Sequence, residues 1–365
     1  LNYAKYYAIL WSVKRGEKMS YYDTQDEKIA ALHQIYSEKI PEFIKEIVDF
    51  PELARLNGID INAGINLSGF NLYKYKYSVL DHSIGLALIL NNFITNKNKV
   101  LSAMLHDISV PAFSYATTYI DEINFDKNDN ALTNYDVIVG SDKLFAYLFD
   151  NNINIDEICD YTDFPLGYNI RPTLCAHTLE YFLHTAYLSN ICTLDEIKEF
   201  YEDLVVVPND DNMPEFCFNT VHLAKKICLV SIECGEKYRS YEAKMAMKFI
   251  TDTLAPMVRR GVIRRKDLYT STDKIIMDIG LNCSDKRISD RWRYLPNLRK
   301  VYTKFNKVEK KYCTKIGRDL RYVDPLIKVG NNYIRISKLD TDVDKKINEF
   351  LDSDTDLYMY IDYED

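Results

Sequence analysis

Apolar residues recur at helical spacing through the first third of the chain. Between Asp26 and Phe50, Ile29, Ala30, Leu32, Ile35, Tyr36 and Ile40 are followed by Phe43, Ile44 and Ile47, a 3.6-residue period that predicts helices. Pro41 and Pro51 stand where such helices begin or break. Asn57 to Lys76, carrying Gly58, Asn62, Gly64, Asn66 and Gly69, predicts a loop. Ser78 to Phe93 is apolar on most faces (Leu80, Ile84, Leu88, Ile89, Leu90), the pattern of a central helix rather than a surface one. Asn98 to Ile108 predicts a shorter helix with Val100, Leu101, Met104 and Leu105 inward, and the polar Asp121 to Asp136 a mobile loop. Further helices fit Ser141 to Asn151, Thr173 to Ser189, Leu194 to Leu204, Asn219 to Glu236 and Tyr241 to Val258. Past Arg291 the pattern changes. Tyr322 to Val329 and Tyr333 to Ile336 flank Gly330-Asn331-Asn332, which predicts a β-hairpin. A basic run (Lys300, Lys304, Lys307, Lys310, Lys311, Lys315, Arg318, Arg321) precedes it and reads as a solvated helix face balancing an acidic surface, with a nucleic-acid contact as the weaker alternative. No internal repeat is visible, which excludes a solenoid.

Composition sharpens this picture. Only 12 Gly and 10 Pro in 365 residues leave few backbone breakers, in keeping with a helical chain. The 46 Lys and Arg against 54 Asp and Glu give a net charge of −8, which argues against gripping a nucleic-acid backbone. With 29 Tyr and 16 Phe the chain has ample material for a core. Eight cysteines, scattered from Cys159 to Cys313 without a C-x-x-C pair, disfavour zinc ribbons and redox motifs and read as reduced buried thiols. No run is long and apolar enough for a membrane span, and Leu1 to Lys18 does not read as a signal peptide. The expected location is the cytoplasm.

Six histidines are available for chemistry: His33, His82, His106, His177, His184 and His222. His82 and His106 lie in the apolar helices, and His106 is followed at once by Asp107. Burying an imidazole and a carboxylate is costly unless they are paired or bind a metal. Both outcomes, a pair satisfying itself in a helical core and a metal site, fit the residues alone.

Tyr77-Ser78-Val79-Leu80-Asp81-His82-Ser83-Ile84-Gly85, followed by Leu105-His106-Asp107-Ile108-Ser109-Val110-Pro111-Ala112-Phe113-Ser114, resembles the motifs of the HD-domain phosphohydrolases. The resemblance is to the deoxynucleotide triphosphohydrolase-like branch. Phe50-Pro51-Glu52-Leu53-Ala54-Arg55-Leu56 resembles a short upstream segment of that branch, and Ser271-Thr272-Asp273-Lys274-Ile275-Ile276 loosely resembles a downstream turn. It implies a mainly α fold: an N-terminal helical segment (1–50), an HD-domain helical bundle (51–290) and a small C-terminal α+β portion with the hairpin (291–365), in one continuous domain.

Carried over residue by residue, His82, His106 and Asp107 match three of the family's four metal ligands, and His177 stands where the family has aspartate. A site with a third imidazole would favour iron, manganese, nickel or zinc over magnesium. Other departures are Val110 and Tyr115 in place of family histidines, and Val79 in place of an arginine. His184 and Thr185 replace an arginine and an aspartate of the late helix. His184, seven residues past His177 and on nearly the same helix face, is a candidate acid or phosphate contact, or else a partly exposed helix histidine. Tyr181 matches the family tyrosine and is a candidate to pack on a ligand's sugar, or else a core residue. Lys74, Lys76 and Arg171 are candidate phosphate contacts. The resemblance thus implies hydrolysis of a nucleotide or other small phosphate ester by a metal-bound hydroxide, with Asp107 orienting the ion and accepting a proton. The losses leave a second expectation open, a degenerate HD protein that binds a nucleotide-like ligand or a protein partner without hydrolysis. The family also implies a homo-oligomer.

Overall fold

The structure, a computed structural model, describes residues 20–120, 131–317, 319–353 and 357–364. The opening Leu1 to Lys18 and positions 121–130 of the expected loop lie outside the described residues, as does Arg318 of the basic run.

The first helices are α1 (Tyr21–Thr24), α2 (Glu27–Tyr36), α3 (Glu42–Val48), α4 (Pro51–Leu56), α5 (Val79–Phe93) and α6 (Lys97–Leu105). The period over Asp26 to Phe50 therefore splits into two helices, because Ser37 turns extended and Pro41 caps the second. Ser78 and Asp81 close a capping box at the start of α5, and every residue from Val79 to Leu90 is buried. This helix is the hub: α2, α4, α6 and α10 (Ala176–Leu188) all pack on it. Wrapping a helix that is apolar on all sides is the only way to remove its surface from water.

After α6 come α7 (Asn134–Val139), α8 (Asp142–Asp150), α9 (Ile155–Cys159), α10, α11 (Leu194–Glu202), α12 (Val221–Tyr238) and α13 (Tyr241–Arg259). Asn134–Val139 is helical, with Thr133 and Asp136 forming its capping box, where a loop was expected. The helix expected from Thr173 begins at Ala176, since Leu174 is held to the Glu215 carboxylate by its backbone N–H. Three helices escaped the periodicity: α14 (Arg265–Thr270), α15 (Asp273–Leu281) and α16 (Lys286–Tyr294). They surround a second apolar core built on α13 and Trp292.

The small β portion comes in two sheets. Strands β1 (Leu204–Pro208) and β2 (Pro214–Phe218) form an antiparallel hairpin between α11 and α12. The expected C-terminal hairpin, β5 (Leu326–Val329) and β6 (Asn332–Arg335), turns at Gly330, whose φ of 61° suits glycine. β5 then pairs in parallel with β2, so the sheet order is β1-β2-β5-β6 and the sheet joins segments on both sides of residue 290. The second sheet, β3 (Tyr302–Lys304), β7 (Tyr358–Tyr360) and β4 (Cys313–Thr314), lies in the basic run and the chain's last residues. The basic run is thus strand and coil, not a helix face: its lysines fall in a segment too irregular to hold a 3.6-residue stripe. Helices α17 (Ile336–Leu339) and α18 (Thr341–Asp352) complete a mainly α fold with a small α+β part. All eight cysteines are free thiols, buried or half-buried. Among the described residues, no helix is long and apolar enough to cross a membrane.

Candidate metal centre

Three histidines converge from three helices. His82 lies in the first turn of α5, His106 caps the end of α6, and His177 lies in the first turn of α10. One nitrogen of each falls within 4.8 Å of the others. Their rings stand nearly edge to face, at centroid distances of 5.3 Å (His82–His106), 5.1 Å (His82–His177) and 5.5 Å (His106–His177). Asp107 joins them, its Oδ2 3.2 Å from His106 Nε2. Helix α6 ends at Leu105, so Asp107 sits in the turn beyond the helix, half-buried rather than in the core.

The hydrogen bonds fix which nitrogens point inward. His106 Nδ1 donates to the Ala103 carbonyl at 2.7 Å, so its buried Nε2 is the nitrogen turned to the cluster, facing the Asp107 carboxylate. His82 Nδ1 bonds to the Glu180 carboxylate, leaving its Nε2 for the cluster. An imidazole nitrogen and a carboxylate facing each other in a protein interior need a shared proton or a cation between them. A cation among the three histidines and Asp107 would meet that need.

The electrostatics agree. Burial works against the charged form of His106, but the Asp107 carboxylate beside it more than offsets this and the pKa rises. Burial would push the Asp107 carboxyl up, yet the neighbouring His106, His82 and His177 hold it well below the usual carboxylate range. Burial, reinforced by the two neighbouring imidazoles, pushes His177 well down and keeps it neutral. A neutral imidazole and an ionised carboxylate are the forms that bind a divalent ion.

Behind His82 runs a buried polar chain. Glu180, fully buried, accepts from His82 Nδ1, from His184 Nδ1 at 3.1 Å and from the Tyr77 hydroxyl at 2.6 Å. Tyr77 in turn lies 3.4 Å from His33 Nε2, and His33 Nδ1 meets Gln25 Nε2 at 2.9 Å. Metal-ligating histidines are generally oriented by such a carboxylate on the far nitrogen. His82, Glu180 and His184 also bring donor atoms within 4.8 Å, but direct hydrogen bonds already occupy that triple.

The loop after Asp107 is tied on all sides. Arg55 donates to the carbonyls of Ile108 (3.0 Å) and Val110 (2.8 Å) and, across the chain, to that of Ser271 (3.2 Å). The Asn134 amide donates to the His106 carbonyl at 2.8 Å. Phe113 and Ser114 take left-handed backbone (φ 63° and 42°), a conformation costly for side chains of this size. Asp273 holds that turn by accepting from the Phe113 N–H at 2.6 Å and the Asp60 N–H at 2.9 Å.

The other expected residues fall as follows. His184 is not partly exposed: it is fully buried, stacked on Tyr77 at 4.1 Å, behind Glu180 as seen from His82. Tyr181 is buried 5.6 Å from the His184 ring. Lys74 and Lys76 are exposed. Arg171 is at the surface in an ion pair with Asp319 at 3.0 Å. Val79 is buried, and Tyr115 packs its ring 5.0 Å from the Arg321 guanidinium.

Sequence reasoning passed over Glu180, Tyr161 and Arg321. A glutamate in the apolar stretch Ala176 to Leu188, three residues past His177, was a legible signal. Tyr161, whose buried hydroxyl has no hydrogen-bond partner, packs 5.1 Å from the His106 ring, and nothing in its local sequence marks it. Arg321 was hidden within the basic run.

No protein-family model matches the chain. It is 23% identical over 318 residues to uncharacterized protein YdhJ of Bacillus subtilis (strain 168), an alignment spanning 83% of this chain and 89% of that protein. Its fold is similar to the crystal structure of a phosphohydrolase from Bacteroides thetaiotaomicron VPI-5482, with a TM-score of 0.57 and 12% identity, over 90% of this chain and 97% of the other. At that identity the likeness is one of fold.

Proposed function

We propose that the chain is a metal-dependent phosphohydrolase of the HD type, acting on a nucleotide or another small phosphate ester. The observation that carries this reading is the convergence of His82, His106 and His177 beside Asp107, with His106 Nε2 turned to the Asp107 carboxylate. The shared fold with a phosphohydrolase supports it. Three imidazoles and one carboxylate suit manganese, iron, nickel or zinc better than magnesium. Such an ion, when bound, supplies a hydroxide nucleophile at neutral pH and neutralises charge on the phosphoryl oxygens.

The remaining work falls to the chain's own side chains. Asp107, held ionised, orients the ion, and because its pKa is depressed its share in accepting the attacking water's proton is secondary. Glu180 fixes the tautomer of His82, and His184 steadies Glu180 from behind. Arg55 and Asp273 hold the loop that carries His106 and Asp107 in register. Tyr181, Arg171 and Lys76 are assigned to the substrate, Tyr181 because it lies one helical turn beyond His177.

The test is metal analysis of the purified chain together with hydrolysis of a panel of nucleotides and phosphate esters, with His106→Ala as control. The expected result is one divalent ion per chain and turnover that His106→Ala abolishes. A chain with neither stoichiometric metal nor hydrolysis sinks the proposal. Metal without turnover would instead favour a ligand-binding protein, the reading that the changes at Val79, Val110 and Tyr115 support.

A further inference from the structure

The sheet β3-β7-β4 carries a surface that the proposed chemistry does not use. Met359, at the centre of β7, is buried in the second apolar core, so alternation turns Tyr358 and Tyr360 to the outer face. Register sets Tyr302 against Tyr360 and Lys304 against Tyr358, which places both β3 residues on that face. The Tyr302 and Tyr360 rings stack at 5.2 Å and 24°, and Tyr302 is 39% exposed. Ammonium groups lie over the rings: Lys300 over Tyr302 at 4.7 Å, Lys315 over Tyr358 at 5.6 Å and Lys304 over Tyr360 at 6.0 Å. Just past β3, Phe305 is 82% exposed.

The charge of this strip runs against that of the whole chain. Between Lys300 and Lys315 stand six lysines and a single acidic residue, Glu309, although the net charge of the chain is −8. Lys311 is held by Asp362, but Lys300, Lys304, Lys307 and Lys310 have no carboxylate partner among the described residues. A lysine over an exposed ring is a weak contact. A base can replace it on the ring and release the ammonium to the adjoining phosphate. Aromatic faces on an open sheet, interleaved with lysines, suit single-stranded nucleic acid, because every base has a π-face to stack. A duplex hides its base faces and needs a broader basic surface than this acidic chain offers. We propose that the outer face of β3 and β7 binds single-stranded nucleic acid, with Tyr302, Tyr358 and Tyr360 stacking bases and Lys300, Lys304 and Lys307 following the backbone. This surface is separate from the metal centre, and its role does not rest on the phosphohydrolase reading.

Fluorescence anisotropy of labelled oligothymidine and oligouridine strands, titrated with the full chain, tests it. A chelator is present so that the metal centre takes no part, and the DNA and RNA arms tell which strand the face prefers. The wild-type chain is expected to bind a single strand at low salt, more tightly than a duplex and less tightly as salt rises. Tyr302→Ala is expected to weaken binding by about fivefold to a hundredfold, the range for one lost base stack. Lys304→Gln combined with Lys307→Gln, both exposed, should flatten the salt dependence without changing the melting temperature, and carries the test if Tyr302→Ala unsettles the sheet. A wild-type chain that binds neither strand, or binds duplex equally well, overturns the proposal. So does a folded Tyr302→Ala chain of unchanged affinity, or a lysine double variant with an unchanged salt slope. Binding to phosphatidylserine vesicles that Tyr302→Ala abolishes, with both strands left unbound, overturns it in favour of a membrane-facing surface.

Discussion

Replacing Glu180 by glutamine isolates what its charge does for the metal centre. The carboxylate is fully buried and accepts from His82, His184 and Tyr77. A glutamine can keep its oxygen toward the two imidazoles and turn its NH2 toward Tyr77. The Tyr77 proton then loses its acceptor, because His33 Nε2, 3.4 Å away, carries a proton while its Nδ1 accepts from Gln25. Shape and both imidazole hydrogen bonds are thus preserved, and the change at His82 is loss of a negative charge on the far side of its ring. Ionised Glu180 draws the His82 Nδ1 proton toward itself and makes Nε2 a stronger donor. Burial alone would raise the Glu180 carboxyl, but His184 and His82 hold it well below the usual range, so the charge is present. Outer partners of this kind are worth about tenfold to a hundredfold in metal affinity, or about 1.4–2.7 kcal/mol. Competition against a chromophoric chelator for manganese or zinc measures this directly, and a metal-free thermal melt reports any cost to folding. A Glu180→Gln chain that binds metal within about twofold of wild type, a difference of under about 0.5 kcal/mol, would refute the reasoning. Glu180→Leu makes the complementary case. It strands imidazole N–H groups in the core, so it is expected to lower the metal-free melting temperature as well.

Two further predictions concern the frame around the site. Burial pushes Asp273 up to about 7 and Asp60 up to about 6, against backbone N–H bonds that pull both down. Folded pKa values above the unfolded ones mean that the native state binds more protons between them, so stability is lost as pH rises from the ordinary carboxylate range to about 7. Asp273→Asn should flatten that decline in urea-unfolding midpoints, and an unchanged slope would count against the assignment. In the other frame element, Arg335 pairs with the fully buried Glu215 through both guanidinium nitrogens, the second at 2.9 Å. Arg335→Met leaves that carboxylate unpaired and should cost about 3–5 kcal/mol by denaturant unfolding. Glu215→Gln in the Arg335→Met background should recover part of the loss, and no recovery would show that the ion pair is not the cause.

What the sequence showed, and what it hid, follows from the range of the interactions involved. Helix α5 was legible because its signal is local, an apolar stretch opened by Ser78 and Asp81. The C-terminal hairpin was legible for the same reason, through Gly330 and Asn331. Strands β1 and β2 were not, since two five-residue apolar runs between helices carry no periodicity to separate them from helix ends. The parallel pairing of β2 with β5 depends on residues more than a hundred positions apart, such as Cys217 with Leu326. The motif residues His82, His106 and Asp107 were named from resemblance, and the structure places them together with His177. Glu180 and Arg321 act through partners distant in sequence, Tyr77 and His82 for the first and Tyr115 for the second, and only three-dimensional proximity exposes them.

The parallel register between β2 and β5 also sets an order of events during synthesis. Until β5 arrives, one edge of the β1–β2 hairpin is open, and Glu215 has no guanidinium against it, because Arg335 lies 120 residues later in the chain. An exposed edge strand and an unmatched buried carboxylate are features that cells handle with chaperones or that drive aberrant pairing. A nascent chain of this protein therefore holds its central sheet unfinished while α12 to α16 emerge, and completes it only when the C-terminal hairpin leaves the ribosome. Truncations or early stop codons between Phe218 and Leu326 should yield aggregation-prone fragments rather than smaller folded proteins.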